Sequence, residues 1–534
     1  MARASNPRGT TAMWVRDHLD GLWSDEDFVA WYPRDGRPGL SPAQLATVSV
    51  LQFLLNLSDR QAAEAVRCRI DFKYALDLDL DDPGFHHSVL TDFRDRLAED
   101  DRADRLLGLA LERMKAAGLV RERGRQRTDS TNVLAAVRDL TRLELITEAI
   151  RATLEELARE DPSVLDALVD EQWAKRYGRP VRLVSQPSRP VGRLKDAGQD
   201  AFALLTLLRG RARGRHAEGL RQIFLQNFVP DSRGAVRPRS DDDGFPPRRL
   251  RIVSPYDLEA RWGCRGDKRW TGYLIHTTET CDDDTINLVT DVATTCASRN
   301  DSTALSGVHD RLEQRKLLPA EHLVDSGYTS VVGMHQAARR TITLIGPLHT
   351  NNSWQHRTQP GFSRDAFTID YDRRQVTCPN GKTSGDWIEP PAQAPYLVVK
   401  FDRRLCDPCA DRSRCTRSKE GRSVTFLPRD LHKLQASNRQ DQQDSAWLRT
   451  YGSRSGVEGT INEFVNAHRA RDCRYRGLAK THVQHVLTAI AVNVERLHAH
   501  HAPAARRKRP ITAFQQYLIN RELPIPRWWR QGAA

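Results

Sequence analysis

Three acidic residues stand where the local pattern changes. Asp129 ends the polar run RQRTD, Asp325 ends the short apolar run HLVD, and Glu458 lies in the first turn of a late helical stretch. Long stretches of chain separate them, so only a fold brings them together. Phosphodiester cleavage needs an activated oxygen nucleophile and a stabilised leaving oxygen. Two divalent ions about 3.5–4 Å apart supply both, and Mg²⁺ takes a few carboxylates while keeping water or phosphate as its other ligands. Each acid also has a plainer reading. Asp129 or Ser130 has the type of a helix N-cap, and Asp325 that of a strand-end turn aspartate. Glu458 follows Ser455 at capping-box spacing.

A second constellation is made of thiols. Cys406-x₂-Cys409-x₅-Cys415, with Cys378-Pro-Asn-Gly upstream, supplies four thiolates, the number that closes a tetrahedral structural zinc site. Such a site leaves no open position, so its role would be to organise the segment, with unligated thiols as the plainer alternative. Arg403, Arg404, Arg412 and Arg414 lie in the same stretch and suit contact with DNA. The remaining cysteines (Cys68, Cys264, Cys281, Cys296 and Cys473) are scattered and read as packing residues.

The elements that must hold these groups follow from periodicity. Residues 13–120 show apolar residues at helical spacing, with Ser58 and Gln61 placed as a capping box and a break at Pro83-Gly84. Short helices with tight turns and a basic balance fit a helix-turn-helix-like DNA reader, against a plain packing or dimerisation unit. Residues 131–227 also read as helical, starting at TNVLAAVRDL, and 231–251 as a polar loop. RWTGYLIHTTET and INLVTDVATTCA then read as a hairpin turned by CDDDT, with Asp282, Asp283 and Asp284 as a solvated turn. A helix (STALSGVHDRLEQRKL), the strand ending at Asp325, a second helix and a second strand (TITLIGPL) follow. Residues 349–440 are mixed, and the last long helices are VEGTINEFVNAHR and KTHVQHVLTAIAVNVERLHAHH. Hairpin, helix, aspartate-tipped strand and glutamate-bearing helix form an ordered series, which the single acids do not.

Bulk properties narrow the class. The 534 residues suggest about three units. Lysine plus arginine number 82 against 69 acidic residues, a net charge of +13, which favours a polyanionic partner over an ordinary solvated surface. No stretch is long and apolar enough to span a membrane, and the opening residues lack the apolar middle of a signal peptide. A cytoplasmic, nucleoid-associated protein is expected, with its nine cysteines reduced. The run ARRKRP near the end adds basic charge.

The local text resembles RNase H-like DDE transposases, and within them the insertion-sequence transposases of the eleven-eighty-two group. RTDSTNVLAAVRDLTRLE, RWTGYLIHTTETCDDD, HLVDSGYTS and SRSGVEGTINEFVNAHRARDCRYRGLAKTHVQHVLTAIAVN carry the resemblance, and LSDRQAAEAVRCRIDFKYALDLDLDDPGFHHSVLTDFRDRL resembles that family's N-terminal domain. The match covers roughly residues 35–500. It implies an α/β RNase H-like core (121–500) with a helical insertion (131–250) and a four-cysteine zinc insertion (349–440), preceded by an all-α DNA-binding domain (1–120) and followed by a basic tail (501–534). It also implies Asp129, Asp325 and Glu458 as ligands of two Mg²⁺ or Mn²⁺ ions that cleave transposon ends and join the 3′ hydroxyl to target DNA. A nuclease without strand transfer and a non-catalytic DNA-binding derivative are the alternatives. Double-stranded DNA, as inverted-repeat ends and target, is the implied partner, bound by a homodimer. The family's tyrosine–arginine–glutamate–lysine signature fits Tyr451, Arg454 and Glu458. Its lysine position is Val465, leaving His468, Arg469, Arg471 or Arg474 to grip phosphate. The run before Asp129 is poor in apolar residues for a central strand, with Asp257 as the substitute first acid.

Overall fold

A computed structural model describes the chain except residues 20, 34–38, 182–188, 212–213, 232–234, 350, 359–360, 392–394, 502–510 and 524–534. The basic run at 505–510 therefore lies outside the described residues. At the centre is a six-stranded mixed sheet: β1 (Arg125–Leu134), β2 (Arg261–Arg265), β3 (Lys268–Thr280), β4 (Val289–Cys296), β5 (Glu321–Val324) and β6 (Thr343–Ile345). The order is β4-β3-β1-β5-β6, with β2 beside the first half of β3. β3 is antiparallel to β1, β2 and β4, while β5 runs parallel to β1 and β6.

β1 is central although its sequence is polar, because its buried polar side chains are paired across the sheet. Thr128 hydroxyl bonds to Thr278 Oγ1 and His322 Nε2, both at 2.7 Å. Gln126 donates to the Leu317 carbonyl and accepts from Thr290. Arg127 pairs with Glu279. Satisfied polar groups are tolerated inside a sheet where orphaned ones are not. The strand continues through TNVL, so the expected helix does not begin there. It begins at α1 (Arg142–Glu160), where Thr141 and Glu144 form a capping box. Asp129 thus sits in mid-strand, and neither it nor Ser130 caps a helix. The CDDDT turn is less solvated than its composition suggests, since Asp282 accepts from Arg125 N at 3.0 Å and pins the start of β1.

Helices wrap this sheet. α2 (Leu305–Gln314) and α3 (Val331–Arg339) make the crossovers on either side of β5, and α4 (Val457–Asn462) and α5 (Leu478–His501) close the chain's main body. α5 is buried nearly all round, through Val483, Val486, Leu487, Ile490, Val494 and Leu497. β4 covers one side, and the N-terminal helices Pro42–Leu54 and Arg102–Ala116 cover another. Each such aliphatic side chain contributes about 1.5–3 kcal/mol, which makes the N-terminal helices and the sheet parts of one continuous core. The predicted capping box at Ser58 and Gln61 is present. Two further cores stand apart. One joins α1 to Pro190–Leu207 and Arg215–Asn227, and the other lies between the short strands of 367–426. Among the described residues, no helix is long and apolar enough to cross a membrane.

Candidate active site

The parallel ladder of β1 and β5 places the first two acids. Its last register pair is Thr128 with Val324, so Asp129 and Asp325 follow side by side. Asp129 Oδ1 accepts from Ser130 N at 2.7 Å, and its Oδ2 accepts from Arg454 at 3.1 Å. Burial, and then the Asp325 charge, raise its carboxyl above the ordinary carboxylate range, although Ser130 N and Arg454 oppose the shift. Asp325 Oδ1 accepts from Gly327 N and Tyr328 N at 2.9 and 3.3 Å, so it is both a turn aspartate and a neighbour of Asp129.

Glu458, on α4, is joined to Asp129 through Arg454 and does not stand with Asp129 and Asp325 at metal-holding geometry. Its side chain is 65 % exposed and accepts from Arg454 at 3.4 Å. The capping reading fails, because Ser455 Oγ donates instead to the Gly452 carbonyl at 2.9 Å. Arg454 therefore bridges Asp129 and Glu458. Tyr451 lies on the same helical face, one turn before Arg454, and stacks on Trp447 at 5.1 Å.

A buried ionic knot fastens the Glu458 helix to the sheet. Glu279 of β3 is fully buried and pairs with Arg127 at 2.6 Å and Arg496 at 2.8 Å, while the Thr460 hydroxyl of α4 donates to it at 2.5 Å. Arg127, two residues before Asp129, also donates to the Ser453 carbonyl at 2.6 Å. One network thus sets the position of two of the three acids.

A fourth carboxylate was not singled out from the sequence. Asp301, just after β4, accepts from Ser130 Oγ at 3.2 Å and pairs with Arg265 of β2. A Cβ placed on Gly327 would lie 3.1 Å from both Asp301 Oδ2 and Asp325 Oδ1, so the two carboxylates face one narrow gap. Burial raises the Asp301 carboxyl, and Asp325 and Asp129 add to this while Arg265 opposes it. Behind the acids, His276 Nδ1 and Tyr328 Oη are 2.6 Å apart. Burial pushes His276 down to about 3, so it is neutral.

The other candidates divide. Arg471 donates to Thr131 Oγ1 at 3.0 Å, on the Asp129 strand. Arg474 is not brought to the acids. It donates to the Leu57 carbonyl at 2.7 Å and lies over Phe53, tying down the N-terminal helices. His468 is buried against Glu495. Asp257 is fully buried and accepts from Tyr273 Oη, Ala260 N and Gly477 N, a structural role that makes it a poor substitute for Asp129.

Cys378, Cys406, Cys409 and Cys415 line one cavity of about 160 Å³. Burial raises the Cys415 thiol, with the three other thiols adding to the effect and Arg422 opposing it. Among the described residues, no three His, Cys, Asp or Glu side chains converge at metal-holding geometry. Cys281 is buried as expected of a packing residue, but Cys68 and Cys264 are exposed and pack nothing.

Comparison with known proteins adds two family matches. A transposase DDE domain model matches residues 377–498, which contain Glu458, Tyr451, Arg454 and the four clustered cysteines. A transposase domain model (DUF772) matches residues 2–96. Among solved structures, the chain aligns with a cryo-EM structure of the piggyBac transposase synaptic complex with hairpin DNA. Identity is 12 %, over 74 % of this chain and 79 % of that one, with a TM-score of 0.15, an overlap too slight to carry an argument. No curated protein matches.

Proposed function

This chain is an insertion-sequence DDE transposase, and on that premise we propose that Asp129, Asp325 and Glu458 are its catalytic acids, carried on an RNase H-like core. The observation that carries the assignment is the ladder register that sets Asp129 beside Asp325, joined through Arg454 to Glu458. The strand order, an antiparallel trio continued by two parallel strands, supports the core.

The donor set suits hard divalent cations. Asp129 and Asp325 are hard oxygen donors close enough to raise the Asp129 carboxyl, a repulsion that a cation relieves. Two Mg²⁺ or Mn²⁺ ions held by Asp129, Asp325 and Glu458 would supply nucleophile activation and leaving-group stabilisation. The chain's own groups do the rest. Arg454 orients Asp129 and Glu458 and presents a guanidinium to the scissile phosphate. Tyr451 limits where that guanidinium can go. Arg471 adds a cation beside Thr131. Cleavage at a transposon end frees a 3′ hydroxyl, and the same centre holds it in line with a target phosphate. Positioning and charge neutralisation supply most of the rate.

Around this centre, residues 1–120 read the transposon end. The helical insertion (131–250) and the cysteine segment (349–440) extend the DNA-facing surface, and residues 501–534 add basic charge. Zinc is inferred from ligand chemistry, four soft thiols being the number that closes a tetrahedral site; the thiols line one cavity but do not stand at metal-holding geometry. Two ends must be cut together, which calls for a homodimer on double-stranded DNA at the nucleoid. The test is nicking of supercoiled plasmid with Mg²⁺, followed by joining of a pre-cut end to target DNA. Wild type should do both and Asp325→Ala neither, while DNA binding persists. Full cleavage by Asp325→Ala sinks the assignment.

A further inference from the structure

Beside the acids lies a cavity of about 740 Å³ that the catalytic assignment does not use. Arg248, Arg249, Arg265 and Arg299 line it, and among the described residues Asp301 is the only acidic one in its wall. That carboxylate is already taken by Arg265. Among the described residues, Arg248, Arg249 and Arg299 form no ion pair. Arg249 and Arg299 are exposed, so an excess of positive charge faces solvent there.

Trp262 makes part of this charge rigid. Arg248 lies over its ring at 5.0 Å and Arg269 at 5.8 Å. Guanidiniums held on a ring have already lost much of their rotamer freedom, so less entropy is lost when they meet an anion. The cavity borders the gap beside Asp325. Asp301 and Gly327 belong to its wall, and both border Asp325. Arg265 stands at the junction, donating to Ser130 Oγ at 2.8 Å, next to Asp129.

We propose that this groove is the track for the phosphodiester backbone of the DNA strand that enters the acid centre, with Arg249 and Arg299 contacting phosphates and Arg265, held by Asp301, as the positioning residue at its inner end. The proposal rests on the catalytic reading for what happens at the end of the track. Its own content is the path of the strand. Trp262 already carries two guanidiniums over its ring, which favours backbone contact over base stacking there.

The test uses the full chain and a fluorescein-labelled 30-base-pair duplex of mixed sequence, titrated at several NaCl concentrations. Each phosphate contact contributes about 0.9 to the slope of log K against log salt. Arg249→Ala/Arg299→Ala should lower the slope by about 2, while the equal charge change Lys316→Ala/Arg339→Ala, at exposed positions outside the DNA-facing segments, leaves it unaltered. A photo-crosslinker on exposed Cys264, which lines the groove, gives a local readout in a Cys68→Ser background and should capture the DNA. An unchanged slope for the groove pair, or equal losses for both pairs, overturns the track. So does DNA bound without any Cys264 adduct. Mg²⁺-dependent plasmid nicking, followed in parallel, separates the two readings. Nicking without groove contact refutes only the track, and groove contact without nicking refutes only the catalytic reading.

Discussion

Replacing Glu279 by alanine will destabilise the fold by about 3–5 kcal/mol, the usual cost of leaving a buried charge without its partner. The carboxylate is wholly inaccessible, and Arg127 beside it is nearly so. Without Glu279, Arg127 keeps neutral acceptors alone, the Ser453 carbonyl and the Asn287 amide oxygen. Arg496 is less affected, because Glu463 holds it at 2.7 Å from the exposed side. Loss of the Thr460 hydrogen bond adds about 1 kcal/mol. Glu279→Gln keeps the shape and part of the hydrogen bonding, so it should cost less, about 1.5–3 kcal/mol. Arg127→Met combined with Glu279→Met removes the orphaned guanidinium and should recover much of the loss. The assay is urea unfolding followed by tryptophan fluorescence, with the shift in midpoint read at constant slope. Hydrogen exchange localises the effect, and amides of α4 should exchange faster because Thr460 of α4, and Ser453 just before it, are tied to the sheet through this knot. A Glu279→Ala midpoint within about 0.5 M urea of wild type, with α4 protection unchanged, would refute the idea that the knot holds the Glu458 helix.

Other consequences follow from the same packing. Gly456 has no room for a side chain, because a Cβ there would collide with the Arg127 guanidinium. Gly456→Ala should therefore cost about 1–3 kcal/mol and lower cleavage more than it lowers DNA affinity, as kinetics and binding isotherms will show. Burial holds His276 and His485 down to about 3 and His309 to about 4. Their folded values lie below the unfolded value near 6.5, so the unfolded chain takes up protons first as pH falls. The stability is complete above about pH 6.5 and is lost as pH drops, by about 2 kcal/mol for each histidine at pH 5. A Tm that stays flat from pH 7.5 to 5 contradicts this. If the four thiols hold zinc, metal analysis will find about one ion per chain, and Cys406→Ser/Cys409→Ser will lose it together with the thermal stability of residues 362–427.

The order of strands and helices around the three acids was legible because periodicity survives wherever a face is buried. β3 and β4 announce themselves by β-branched and aromatic residues, and Asp325 by the apolar strand it ends. β1 was harder. Its interior is Gln126, Arg127 and Thr128, each satisfied by a partner distant in sequence, so apolar content understated its burial. The same text misplaced the start of α1, since TNVL reads equally well as helix. Asp301 and Glu279 carried no local signal. Their roles exist only once Arg265, Arg127 and Arg496 arrive from other elements. Glu458 shows the converse, because its spacing from Ser455 suggested a cap that the backbone does not form.

The central claim is that Asp129, Asp325 and Glu458 hold the catalytic cations together. Fe²⁺ in place of Mg²⁺, with ascorbate and peroxide, generates hydroxyl radicals that cut the polypeptide next to the bound metal. The account predicts cuts near residues 129, 325 and 458, suppressed by excess Mg²⁺ and absent in Asp129→Asn/Asp325→Asn. Cuts elsewhere in the chain, with none near 129 and 325, would contradict it.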